Sequence, residues 1–126
     1  MKRLAVVVPV WLLVLVPGCG KSLHEPVDTN KAGTVLQAAL EAWKQGEAFG
    51  DLQKRDPPIY FNEPEWKAGK KLVSFTPGKV ELMGRQARCS IKLSLRDKEG
   101  RTAERQISYQ IDTTPQVVIV RENLGP

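Results

Sequence analysis

The chain is 126 residues long, with 41% hydrophobic and 26% charged residues and a formal charge of +5. That length allows one small domain and no second, and the composition excludes wholesale disorder. Lys2 and Arg3 belong to a leader, so the 19 basic residues fall to 17 against 14 acidic ones beyond it. A balance of about +3 is too weak to point to nucleic acid.

Met1-Lys2-Arg3 is a short positive start, and Leu4 to Val16 is apolar except for Pro9. At ~1.5 Å per residue that run covers roughly 20 Å, short of the ~30 Å hydrocarbon core of a bilayer. A cleaved export signal fits better than a stable span. The run ends at Val16-Pro17-Gly18-Cys19, which resembles the lipobox of bacterial lipoproteins. Val16, Gly18 and Cys19 match that pattern; Pro17 departs from it, since Ala, Ser, Thr or an aliphatic residue is usual there. The resemblance implies that the Cys19 thiol is joined to a diacylglycerol and that Cys19 becomes the first mature residue. It divides the chain into a signal peptide (1–18), a lipidated cysteine with a tether (19–29) and one small α+β domain (30–126). The domain is then expected on the periplasmic side of a membrane in the bacterial cell envelope, held there through its lipid. The alternative is a plain secretory signal, with Cys19 free to form a disulfide with Cys89 in an oxidising compartment.

Gly20 to Asp28 has no periodicity and reads as the tether, with His24 a solvated linker residue. Ala32, Val35, Leu36, Ala39, Leu40 and Trp43 then recur at helical spacing and form one apolar stripe. Asp28, Thr29 and Asn30 offer N-cap oxygens, and Gly46 offers the left-handed C-terminal position. Gly33 weakens the first turn, so the well-formed helix is expected over 34–45. Trp43 is its large core anchor.

A further turn around Phe49 and Leu52 is stopped by Asp56-Pro57-Pro58. Ile59-Tyr60-Phe61 is a short strand cut off by Asn62-Glu63-Pro64, and Trp66 with Leu72 to Phe75 suggests another, broken at Pro77-Gly78. Val80 to Met83 is an apolar run of undetermined pairing. Ala87, Cys89, Ile91, Leu93 and Leu95 alternate with polar residues, as do Ala103, Ile107, Tyr109 and Ile111. Asp97-Lys98-Glu99-Gly100 joins the two as a hairpin. That turn sets Leu95 opposite Ala103, Ile91 opposite Ile107 and Cys89 opposite Tyr109, apolar on apolar. Cys89 thus faces the core, where a thiol behaves as a small hydrophobe. Thr113-Thr114-Pro115 turns the chain into a last strand over 116–122. Arg105 breaks the pattern opposite Leu93: it either snorkels at a sheet edge or pairs with an acid inside a cavity.

The expected architecture is one N-terminal helix packed on a curved antiparallel meander of about four strands. That order resembles the cystatin-like and ketosteroid-isomerase-like cone folds over residues 30 to 122. In the enzymes of that group an acid or a His–Asp pair sits at the base of a pocket. Here no acid falls on the inward face of the two readable strands, and the Gln-Val-Val-Ala-Gly loop of inhibitory cystatins is missing, so neither activity carries over. No nucleotide, metal, redox or hydrolase motif occurs, and no cofactor is expected. The first reading of function is a non-enzymatic, lipid-anchored interaction module with an envelope-protein partner. Its surface is the polar sheet face of Arg88, Lys92, Arg96, Glu104, Gln106 and Gln110. The second is a small-ligand carrier or sensor with a pocket between helix and sheet, drawing on Trp43, Trp66, Phe75, Arg105 and Tyr109. The third is a cone-fold enzyme, which would need Arg105 beside a buried carboxylate of raised pKa.

Overall fold

Asp28 opens the folded region by capping a helix: its carboxylate accepts from the backbone N–H groups of Asn30 (2.9 Å) and Lys31 (3.3 Å). The computed structural model describes residues 28–122. The expected signal peptide, Cys19 and the expected tether around His24 lie outside the described residues. Helix α1 runs from Thr29 to Lys44 and ends at Gly46, whose φ of 91° is the left-handed conformation expected there. It begins a turn earlier than its composition suggests because Gly33 has a tertiary role. A Cβ at that position would stand 3.3 Å from the Val80 side chain. The helix gives up intrinsic propensity there and gains a close approach to the sheet.

After a short 3₁₀ turn, Asp51–Lys54, come β1 (Ile59–Asn62), the one-turn helix α2 (Pro64–Lys67), β2 (Lys71–Thr76) and β3 (Val80–Met83). The long strands β4 (Gln86–Arg96) and β5 (Thr102–Asp112) follow, then β6 (Val117–Arg121). Trp66, read from sequence as part of a strand, stands on α2. The protein is α+β, with one main helix against a curled, half-barrel sheet. The β4–β5 hairpin has the register its turn dictates, with Leu95 opposite Ala103, Leu93 opposite Arg105, Ile91 opposite Ile107 and Cys89 opposite Tyr109. Cys89 is buried on the inner face and has no disulfide partner among the described residues. Burial pushes that thiol's pKa up, against the lowering effect of the Gly78 backbone.

Two expectations are corrected. Among the described residues the sheet has six strands, in the order β1-β6-β5-β4-β2 with β3 also on β4, and it is mixed. Strand β1 pairs in parallel with β6, Ile59 opposite Val117 through Asn62 opposite Val120. A simple meander would have left β1 antiparallel or apart. The parallel arrangement brings the C-terminal ends of β1 and β6 together, so that Glu63 and Arg121, each one residue beyond the last pair, become neighbours.

Strands β2 and β3 share one edge of β4. β2 lies along Lys92 to Arg96 and β3 along Gln86 to Cys89. The chain crosses between them at Pro77-Gly78, so close to β4 that a Cβ on Gly78 would stand 1.9 Å from the Ser90 carbonyl oxygen. Ser90 is held in the β4–β5 ladder opposite Ser108, so the carbonyl cannot move freely out of the way. Gly78→Ala is therefore expected to destabilise the domain by about 1–3 kcal/mol, the usual cost of forced overpacking. Thermal or urea unfolding of the variant checks this, and unchanged stability would refute the close crossing.

Candidate interaction site

Trp43, at the end of the α1 stripe, is buried, and its indole N–H donates to the Lys70 carbonyl at 2.9 Å. Trp66 of α2 stacks on it, with centroids 5.6 Å apart and planes 11° from parallel, and donates to the Glu47 carbonyl at 3.1 Å. Phe49 meets the Trp66 ring edge-on at 5.7 Å. These rings floor a groove of about 550 Å³ between the end of α1, α2 and the start of β2. Lys44, Lys71 and Arg96 stand on its rim. Among the described residues none of these three has an ion-pair partner, whereas Glu47 is held by Arg55 at 3.0 Å and Lys70 by Glu65 at 2.7 Å. Phe49 and Val73 are exposed large apolar residues at the same groove. The groove thus offers apolar surface within a rim of uncompensated positive charge.

The aromatic chain continues inward from Trp66 to Phe61 (5.9 Å) and from Phe61 to Tyr109 (5.4 Å). Tyr109 has no exposed surface, and a buried hydroxyl needs a partner. Its O–H donates to Glu63 Oε1 at 2.5 Å. Glu63 Oε2 accepts from the Glu65 backbone N–H at 2.7 Å, capping α2, and from Arg121 at 3.2 Å. Burial, followed by the Glu63 charge, drives the Tyr109 pKa far up, so the phenol stays protonated and donating. Arg121 also reaches Glu65 at 3.1 Å, and Arg105 lies 3.7 Å from the same carboxylate. Burial opposes the charge on Arg121, but Glu63 and Glu65 outweigh it and raise that pKa. For Glu65, too, burial acts first to raise the pKa. The hydrogen bonds from Lys70 and Arg121 and the charge of Arg105 overcome it and hold the carboxyl below its ordinary range.

Sequence reasoning missed Glu63, because the following proline read as the end of a strand. The signal was the inward parity of Ile59 and Phe61, which Glu63 continues. The expectation of no inward acid concerns only β4 and β5; Glu63 lies beyond β1, outside it. Arg105 sits opposite Leu93 and pairs with an acid, but its side chain is 46% exposed at an open recess shared with Asn62 and Arg121. Its acid has a lowered pKa, the reverse of what a proton-transfer role at neutral pH requires.

The structure does not bring Trp43, Arg105 and Tyr109 into one pocket. Trp43 belongs to the groove floor, Tyr109 is enclosed under Glu63, and Arg105 opens to solvent on the other side of α2. Phe75 lines a separate recess of about 230 Å³ between α1 and β2–β4. Arg88, Lys92, Arg96, Glu104, Gln106 and Gln110 do share the sheet face away from α1. Much of that face is internally paired: Arg88 with Glu122 at 2.9 Å, Lys92 with Glu104 at 3.9 Å and Gln106 with Ser90 at 3.0 Å. Arg96 alone of the six also lines the groove. Among the described residues no cluster of His, Cys, Asp and Glu is placed to hold a metal ion. No family model, characterised protein or solved structure matches the chain.

The lowered Glu65 pKa fixes the sign of a pH effect. Its contribution is fully present above the unfolded glutamate pKa of about 4.3 and is lost as the pH falls through the lower folded value. Glu65→Gln should therefore melt below wild type at neutral pH, and the gap should close in acid. Melting curves between pH 7 and pH 3 (roughly spanning the carboxylate range) read this directly. A gap that stays constant with pH would mean that the three cations do not stabilise the Glu65 charge.

Proposed function

We propose that this chain is a lipid-anchored protein of the bacterial cell envelope that acts as a non-enzymatic interaction module. Cys19 carries the lipid, residues 20–28 tether the domain to the membrane, and the domain faces the periplasm. Its docking site is the aromatic groove, and its partner is an envelope protein presenting an acidic segment with an apolar anchor. The carrying observation is the rim of Lys44, Lys71 and Arg96, which have no carboxylate partner among the described residues, above apolar surface at Phe49 and Val73. Unpaired cations around an apolar floor favour an acidic partner over a basic one and speed its encounter. We extend the proposal to the fold: the helix-first order and the curled sheet support a cone of the cystatin-like kind, with β1 added in parallel at the β6 edge.

A small-ligand carrier is the second reading, favoured by the recess between α1 and the sheet. At about 230 Å³ it falls below the ~300–1,000 Å³ of ordinary ligand sites, so the groove carries the proposal.

A photo-crosslinking amino acid at Val73, in cells, tests the site. It should give a discrete protein adduct that a Lys44→Glu/Lys71→Glu variant loses and a Lys92→Glu variant keeps. An adduct indifferent to the groove charges, or no adduct, would overturn the groove. Fatty-acid labelling that persists in Cys19→Ser would separately overturn the anchor.

A further inference from the structure

Strand β3 ends in two exposed apolar residues, Leu82 and Met83, 49% and 50% exposed. They pair with Ala87 and Gln86 across a tight turn at Gly84-Arg85, where Gly84 has a φ of 66°. Ala87, opposite Leu82, is fully buried, so Leu82 lies on the inner face of the sheet. Even so, its side chain stays half-exposed. A hairpin tip carrying Leu and Met is an unusual use of apolar surface in a small domain with a polar outer sheet face.

The position of the tip identifies what it meets. Helix α1 runs in the same sense as β4. Gly33 touches Val80, which pairs with Cys89 near the start of β4, and Trp43 shares a groove with Arg96 at its end. From Gly33 back to Asp28 is about 8 Å at the helical rise, and from Val80 out to Met83 about 10 Å at the strand rise. Both steps lead toward the same end of the domain, so the tip and the origin of the tether lie together. The nine residues from Gly20 to Asp28 reach at most ~30 Å, so a lipid on Cys19 keeps that end close to the membrane.

We infer that the β3–β4 tip is a membrane contact, in which Leu82 and Met83 enter the interfacial region of a bilayer and Arg85 engages anionic headgroups. The chemistry matches the place: two flexible apolar side chains beside a cation that can snorkel toward phosphate. Glu81 lies on the outer face, on the same side as Met83 but two residues farther from the tip, opposite Arg88 in the ladder. The contact also orients the groove. Since the groove lies at the far end of α1, a domain seated on its tip presents Lys44, Lys71 and Arg96 away from the lipid. This inference rests on the anchor proposed above.

The test labels Met83→Cys, in a Cys89→Ala background, with an environment-sensitive fluorophore on the mature protein. The probe is vesicles of phosphatidylethanolamine and phosphatidylglycerol with acyl-chain quenchers, and Ser108→Cys on the outer sheet face serves as control. Intact mass reports the Cys19 lipid independently. The expected result is a blue shift and acyl-chain quenching at position 83, absent at position 108 and reduced by Leu82→Ser. A lipidated protein whose position 83 is no more quenched than 108 overturns the contact while the anchor stands. A protein without lipid that is still quenched at 83 supports the contact while the anchor fails, and one without lipid or quenching overturns both. A fluorophore already blue-shifted before vesicles are added shows that protein covers the tip, and also overturns the contact.

Discussion

Glu63 has no exposed surface, and both of its carboxylate oxygens are engaged. Burying such a group is costly unless it is paired and hydrogen-bonded. The arrangement of four elements follows from that constraint. Tyr109 comes from the second half of β5, Arg121 from the end of β6 and the Glu65 N–H from the first turn of α2, while the residue itself directly follows β1. Glu63 can meet Arg121 only if β1 and β6 run in parallel, since an antiparallel β1 would carry it to the opposite end of the sheet. The cost of burial thereby selects one topology over alternatives that would bury much the same apolar surface.

The same turn of helix also builds the groove. Glu63 and Glu65 fix α2 on one side through Tyr109, Arg121, Arg105 and Lys70. On the other side α2 presents Trp66 to Trp43. Lys70 takes part in both, holding Glu65 with its ammonium and accepting the Trp43 N–H with its carbonyl. The contacts that satisfy the buried carboxylate thus also hold the groove floor in place. The cations on the rim are left to other partners because the acids nearby are already committed.

How much of this is legible in the sequence depends on the range of the interaction. The register of the β4–β5 hairpin can be read, because alternation and a four-residue turn fix it, but its burial cannot, since Thr102 to Gln106 are all exposed. The α1 stripe and its caps are local and equally legible, apart from Gly33, whose reason lies on β3. The pairing of β1 is not legible. Four residues carry no signature of parallel pairing with a strand more than fifty positions away (roughly the span from Ile59 to Val117). Pro64 reads as a stop when it is in fact the first residue of a helix that Glu63 caps, a position proline favours. The lysine-rimmed groove is hidden for the same reason, since its floor needs Trp66 on that helix and not on a strand. Arg105 shows what alternation alone can give: its face is legible, but its acid partner comes from α2.

The most direct measurement is a double-mutant cycle on the buried pair, using urea unfolding of wild type, Glu63→Gln, Tyr109→Phe and the double variant. If the carboxylate organises these elements, each single change costs about 1–3 kcal/mol, as expected for orphaning a buried polar group. The double variant should then lose less than the sum, with a coupling of roughly 0.5–3 kcal/mol. Additive effects within about 0.5 kcal/mol, or a Glu63→Gln variant as stable as wild type, would contradict the account and leave the parallel β1–β6 pairing to be explained by apolar packing alone.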